Sequence, residues 1–212
     1  MSKSQNPLTG QMSGSMANFV TTTHGGQNVI RSKAFNPRDA NSAAQQAQRQ
    51  YFKMIVDEYK SWGGITDLGF CECVQGQSAY NLFMATNLSN AIDKSGPVPV
   101  IDYRKLLVAN GSLPGVTVLP ANISSDGIVI NYQTNLKIPR VSDTDEMVAI
   151  AKTTQGELLL ERKQRGSDEV GTIQILFPNL SVADLQCCYL FVRNMDGSKS
   201  SKSVSVQFSE AY

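Results

Sequence analysis

The chain has 212 residues, 41% of them hydrophobic, with 19 Lys or Arg against 18 Asp or Glu, which excludes both a disordered polyelectrolyte and a strongly cationic nucleic-acid binder. Its single histidine removes most His-based catalytic triads and zinc sites with two histidines, and no uncharged apolar run reaches the roughly 18 residues that span a bilayer. A mild asymmetry remains: residues 1–62 hold seven Lys or Arg against three acids, and the rest twelve against fifteen.

Residues 1–13 are polar, with Asn6-Pro7 and Gly10, and read as an extended arm able to reach a neighbour. They lack the apolar stretch of a signal peptide, so we expect a cytoplasmic origin and four reduced cysteines. Met16 to Thr23 and Gln27 to Lys33 are β-prone runs joined by His24-Gly25-Gly26, the pattern of a hairpin, with His24 as a turn residue. Asn36-Pro37 then breaks the strand.

The stretch that follows carries the strongest helix signal. Ala44, Ala47, Tyr51, Ile55, Tyr59 and Trp62 recur at steps of three and four, Asn41 or Ser42 can cap the start, and Gly63-Gly64 ends it. A loop through Asp67 to Gly76 leads to a second helix over Ser78 to Ala91, with Ala79, Leu82, Phe83, Thr86 and Ala91 on its face and Leu88 beside them. Gly96-Pro97-Val98-Pro99 opens an extended segment, Val100 to Ala109, turned by Asn110-Gly111-Ser112.

From Leu113 onward about seven short strands alternate with turns: 116–121, 128–132, 147–152, 157–163, 171–177, 187–193 and 203–208. In the last, Val204, Val206 and Phe208 alternate with Ser203, Ser205, Gln207 and Ser209, which predicts one buried and one wet face. The expected fold class is α+β: an arm (1–13), a domain with a hairpin and two helices (14–112), and an antiparallel, immunoglobulin-like β-sandwich (113–212) without the Cys and Trp spacing of antibody domains.

Metal and nucleotide signals are weak. Cys71 and Cys73 are one residue apart and Cys187 and Cys188 adjacent, spacings that suit packed, reduced thiols better than structural zinc. Asp143, Asp145 and Glu146 lack the glycine and distal glutamate of a calcium loop and read as a solvated linker, and no phosphate loop precedes a helix. No catalytic residue, cofactor or metal ligand is assigned. Arg31, Lys33, Arg38, Arg49 and Lys53 form the one candidate contact set, for nucleic-acid phosphates or for another part of the same chain or a neighbouring subunit. Tyr51 and Phe52 would add aromatic surface to it, although Tyr51 falls on the apolar face.

Several pieces in order carry a resemblance: Gly14 with a hairpin ending near Arg31, Asn36-Pro37, Gln45, Gln48-Arg49 and Phe52, then Ser78-Ala79-Tyr80-Asn81 with Phe83, Gly111-Ser112-Leu113, and Ser201-Lys202-Ser203. Together they resemble an uncharacterised family of proteins from Bacteroidota and their phages, with an immunoglobulin-like C-terminal half. The resemblance implies a phage setting and no catalytic residue. On it rests the expectation of a non-enzymatic structural protein of a phage particle, assembled in the bacterial cytoplasm from copies of itself and other particle proteins, without a membrane partner. A nucleic-acid-associated protein using the basic N-terminal half, and a binding module on a sandwich scaffold, are the alternatives.

Overall fold

The computed structural model describes residues 2–4, 12–24, 26–35, 39–74, 76–124, 126–134, 136–178 and 182–208. It divides into two compact units, Met1–Ala47 with Val74–Gln77, and Gln48–Cys73 with Ser78–Tyr212. The fold is mixed α+β, with mostly antiparallel sheets and few helices.

The smaller unit is a four-stranded sheet of β1 (Ser2–Ser4), β2 (Gly14–Met16), β3 (Phe19–His24) and β4 (Gln27–Ser32), in the order β1-β4-β3-β2. The expected hairpin is β3–β4, in register from Phe19 opposite Ser32 to His24 opposite Gln27. The run read as one strand from Met16 is split by a turn at Ala17-Asn18, where Ala17 takes a left-handed φ of 48° and Met16 comes to face Phe19. The start of the expected arm is strand β1, paired with Asn28–Ile30, while residues 5–11 lie outside the described residues, as do Asn36-Pro37 and Arg38. Polar groups fill the protected part of this sheet. Buried Thr21 donates to the Gly14 carbonyl at 3.2 Å, and buried Asn28 accepts from Thr23 Oγ1 at 3.0 Å and from Met12 N–H at 3.1 Å.

Helix α1 spans Ala43–Ser61. Ser42 caps it reciprocally with Gln45: the Gln45 amide donates to Ser42 Oγ at 3.3 Å and the Ser42 amide to Gln45 Oε1 at 3.2 Å, a capping box that satisfies two amides at once. Gly63, at φ +55°, ends it in the left-handed region a glycine adopts without a Cβ clash. Of the expected face, Ile55 and Trp62 are fully buried and Tyr51 and Tyr59 half-buried. A short helix α2 (Ile65–Gly69) occupies part of what reads as loop, and α3 (Ala79–Asn90), capped by Ser78, lies within the second helix expected over 78–91. Strands β5 (Ile92–Asp93) and β6 (Val100–Ile101) form a two-stranded pair, so only two residues of the expected extended segment 100–109 are strand.

The remaining strands are β7 (Thr117–Val118), β8 (Asn122–Ser124), β9 (Gly127–Gln133), β10 (Glu146–Thr153), β11 (Leu158–Gln164), β12 (Val170–Leu176), β13 (Leu185–Arg193) and β14 (Val204–Ser205). They make one sheet in the order β11-β10-β13-β14 and a second in the order β12-β9-β7, with β8 also on β9.

Within the larger unit the first sheet is covered on both faces. Val148, Ile150, Tyr189 and Phe191 pack with Ile55, Trp62, Phe70 and Phe83 from the helices. Met147, Ala149, Leu190 and Val192, from the same two strands, pack with Ile128, Ile130, Tyr132 and Ile175 of the second sheet. Alternation along a strand sends neighbours to opposite faces, so Cys187 enters the helix-side core and Cys188 the sheet-side core, and both are buried.

Two local expectations are corrected by this packing. The alternation expected over 203–208 is inverted at its start: Ser203, expected wet, is 4% exposed and its Oγ accepts from the Val108 and Ala109 amides at 3.1 and 3.3 Å, whereas Val204, expected buried, is exposed. Asp145, read as part of a solvated linker, is 3% exposed and pairs with Arg165.

Candidate functional site: the N-terminal sheet and two buried ion pairs

The N-terminal sheet is short of apolar partners. Among its described residues no apolar side chain is buried, while Met16 is 62% exposed, Phe19 52% and Phe35, three residues past β4, 94%. Met16 and Phe19 are cross-strand partners and therefore share a face. A shallow concavity between Ala17-Asn18 and Lys33-Ala34-Phe35 adjoins them. Arg31 and Lys33 are exposed in the same unit, so cations and apolar side chains are both presented by this sheet.

The expected basic set divides. Arg31 and Lys33 belong to the smaller unit; Arg49 and Lys53 lie one turn apart on the exposed side of α1, in the larger unit; Arg38 is outside the described residues. Phe52, 46% exposed, lies beside Arg49 and Lys53, whereas the Tyr51 ring is covered by Lys94, whose Nζ sits 4.7 Å from its centroid.

Sequence reasoning missed both buried ion pairs. Glu58 lies three residues after Ile55 and four before Trp62, inside the apolar stripe, and that position was the available signal. Its Oε1 accepts from Lys152 Nζ and from Trp62 Nε1, each at 2.8 Å, and its Oε2 from Tyr103 Oη at 3.2 Å. Lys152 also donates to Ser61 Oγ at 2.8 Å and stands over the Trp62 ring at 5.2 Å. Burial, then the Glu58 carboxylate, push the Tyr103 phenol above its ordinary value, so it remains a donor. Arg165 Nη1 lies 3.2 Å from Asp145 Oδ2, which also accepts the Ser142 amide at 2.9 Å. Burial pulls the Arg165 pKa down, opposed by Asp145. In both clusters each charge faces a partner within the larger unit, the arrangement a buried pair requires.

Among the described residues, no three His, Cys, Asp or Glu side chains converge as a metal site would need, and no helix is long and apolar enough to cross a membrane.

A model of a family of unknown function, DUF6266, matches residues 11–207. The chain belongs to that family. The DUF6266 match spans the N-terminal sheet from just before β2, all three helices and both larger sheets. No curated protein matches the chain.

Proposed function

We propose that this DUF6266 member is a non-enzymatic structural subunit that assembles with copies of itself through its N-terminal sheet. The observation that carries this reading is a four-stranded sheet that exposes Met16 and Phe19, with exposed Phe35 just past β4, while burying no apolar side chain of its own among the described residues. Such a sheet gains little from folding alone, because strands are stabilised by the apolar face they cover. A surface on a neighbouring molecule supplies that cover. Charge favours a second copy: the smaller unit holds four Lys or Arg against one acid, leaving fifteen against seventeen in the larger. A sheet of one copy on the larger unit of the next is a head-to-tail contact, which closes into a ring or extends into a filament. The immunoglobulin-like sandwich and the phage particle belong to the same reading and rest on the resemblance.

The test is light scattering after size exclusion on the full chain and on a variant carrying Phe19→Ser and Phe35→Ser, both exposed positions. A discrete oligomer that becomes a monomer in the variant is expected. A wild-type monomer at every accessible concentration would sink the reading. For the particle setting, the chain is expected to sediment with purified virions, and its absence from them would remove that part alone.

A second reading has its own observation: exposed Phe19 and Phe35 accompany Arg31 and Lys33 in one unit, the pairing of rings and cations used on single-stranded nucleic acid. It requires oligonucleotide binding that weakens with salt and is lost in Arg31→Ala.

A further inference from the structure

A groove in the larger unit, independent of the N-terminal sheet and of the assembly reading, runs along β14. The 113–121 segment touches the 201–208 segment at both ends, Leu113 against Ser201 and Ala121 against Phe208. Between those bridges it departs to pair β7 with β9. The opening left beside β14 is a groove of about 910 Å³.

Register decides what the backbone offers there. Val206 N–H bonds the Cys188 carbonyl and Ser205 stands opposite Tyr189, so antiparallel alternation turns the backbone of residues 203, 205 and 207 away from β13. The outward Ser203 N–H is taken by the Ala109 carbonyl, and the outward Gln207 carbonyl by the Ala121 N–H. Ser205, between them and lining the groove, turns both its N–H and its carbonyl into the opening. That is an unfinished rung of a sheet edge, flanked by rungs already made.

The side chains around it have one sign of charge. Arg104, Lys105 and Lys202 line the groove, and none of its described lining residues is acidic. Lys105 is paired with Asp102 at 3.1 Å; among the described residues Arg104 and Lys202 pair with no carboxylate, and both are exposed. Leu107, Leu113 and Val204 supply apolar wall. None of the described lining residues is aromatic, so none of them stacks a nucleobase. The geometry points to a docking groove for an extended acidic peptide segment of a partner protein. It pairs its backbone with Ser205, its carboxylates with Arg104 and Lys202, and its alternate side chains with the apolar wall.

The test is fluorescence anisotropy on the full chain with three labelled probes: a decapeptide alternating glutamate with valine, the same peptide with lysine for glutamate, and an oligo-dT strand. The acidic peptide is expected to bind at least about tenfold tighter than the basic one and to weaken with salt. Arg104→Ala with Lys202→Ala is expected to weaken it by about tenfold or more. Ser205→Pro, which deletes an N–H that serves no internal rung, is expected to weaken it as well, with the melting temperature retained. Any of three results overturns the proposal: no binding of the acidic peptide, binding unchanged in the Arg104/Lys202 variant, or oligo-dT binding that this variant abolishes while the peptide stays unbound.

Discussion

Glu58 of α1 and Lys152 of β10, 94 residues apart in sequence, meet at 2.8 Å with side chains only 7% and 6% exposed. The contact joins the end of the longest helix to the central sheet at the place where Trp62 and Tyr189 stack edge to face, 5.7 Å between centroids. Every polar atom of Glu58 is used, so either partner alone would be left as a charge without water or counter-ion.

Lys152→Met is therefore expected to destabilise by about 3–5 kcal/mol, the usual cost of stranding one member of a buried pair. Glu58→Gln keeps an acceptor for Trp62, and the double variant should lose clearly less than the two single losses combined. Urea denaturation of the four proteins measures this coupling. Additive losses would mean that the pair does not interact as its geometry states.

Gly171 on β12 faces Tyr132 on β9, and a Cβ at 171 would meet the phenol ring itself. Gly171→Ala is expected to cost about 1–3 kcal/mol by overpacking. Tyr132 Oη, though buried, has no hydrogen-bond partner among the described residues, so Tyr132→Phe should stay within about 1 kcal/mol of wild type. A large loss on removing that hydroxyl would show that it has a partner.

Acid should loosen the contact between Glu72 and the chain around Ser200. Burial alone would raise the Glu72 pKa, but amide donors from Ser112 at 2.7 Å and Ser200 at 3.2 Å, with Lys199 nearby, bring it below its ordinary 4.5. A carboxylate with a depressed folded pKa contributes stability above its unfolded value and loses it as pH falls through the folded one. Stability should thus decline below about pH 4.5, and Glu72→Gln should flatten that part of the profile. Identical pH profiles for the two proteins would refute the assignment.

Thiol reactivity should divide two and two. Burial pushes Cys187 up to about 12 and Cys188 higher still, whereas Cys73 is exposed and Cys71 half-buried. With a thiol reagent at pH 8, native protein is expected to report Cys73 first and Cys71 more slowly, with Cys187 and Cys188 appearing only after denaturation. Early modification of Cys188 would contradict a sheet covered on both faces.

Much of the fold was legible because its signals are local. The spacing from Ala44 to Trp62 marked α1, Ser42 and Gly63 marked its ends, and each of the seven expected strands has a counterpart among β7 to β14. The turn at Ala17-Asn18 escaped because it places alanine where glycine or asparagine is usual. The candidate site was less legible. Arg31 and Lys33 were visible as charges, but that Phe19 and Phe35 face solvent depends on what the rest of the chain leaves uncovered.

Sequence by itself determined α1 with its ends, α3, the β3–β4 hairpin, the strands beyond residue 113 and the alternation along β13 that sends Cys187 and Cys188 to opposite faces, because each depends on residues within a turn or two of one another. Tertiary structure alone decided that both of those faces are covered. It also decided that Asp145 finds Arg165 and Glu58 finds Lys152, and that the Ser205 backbone is left facing an open groove. These outcomes join segments tens of residues apart, and a side chain's partner across such a distance is set by packing, which no local period encodes.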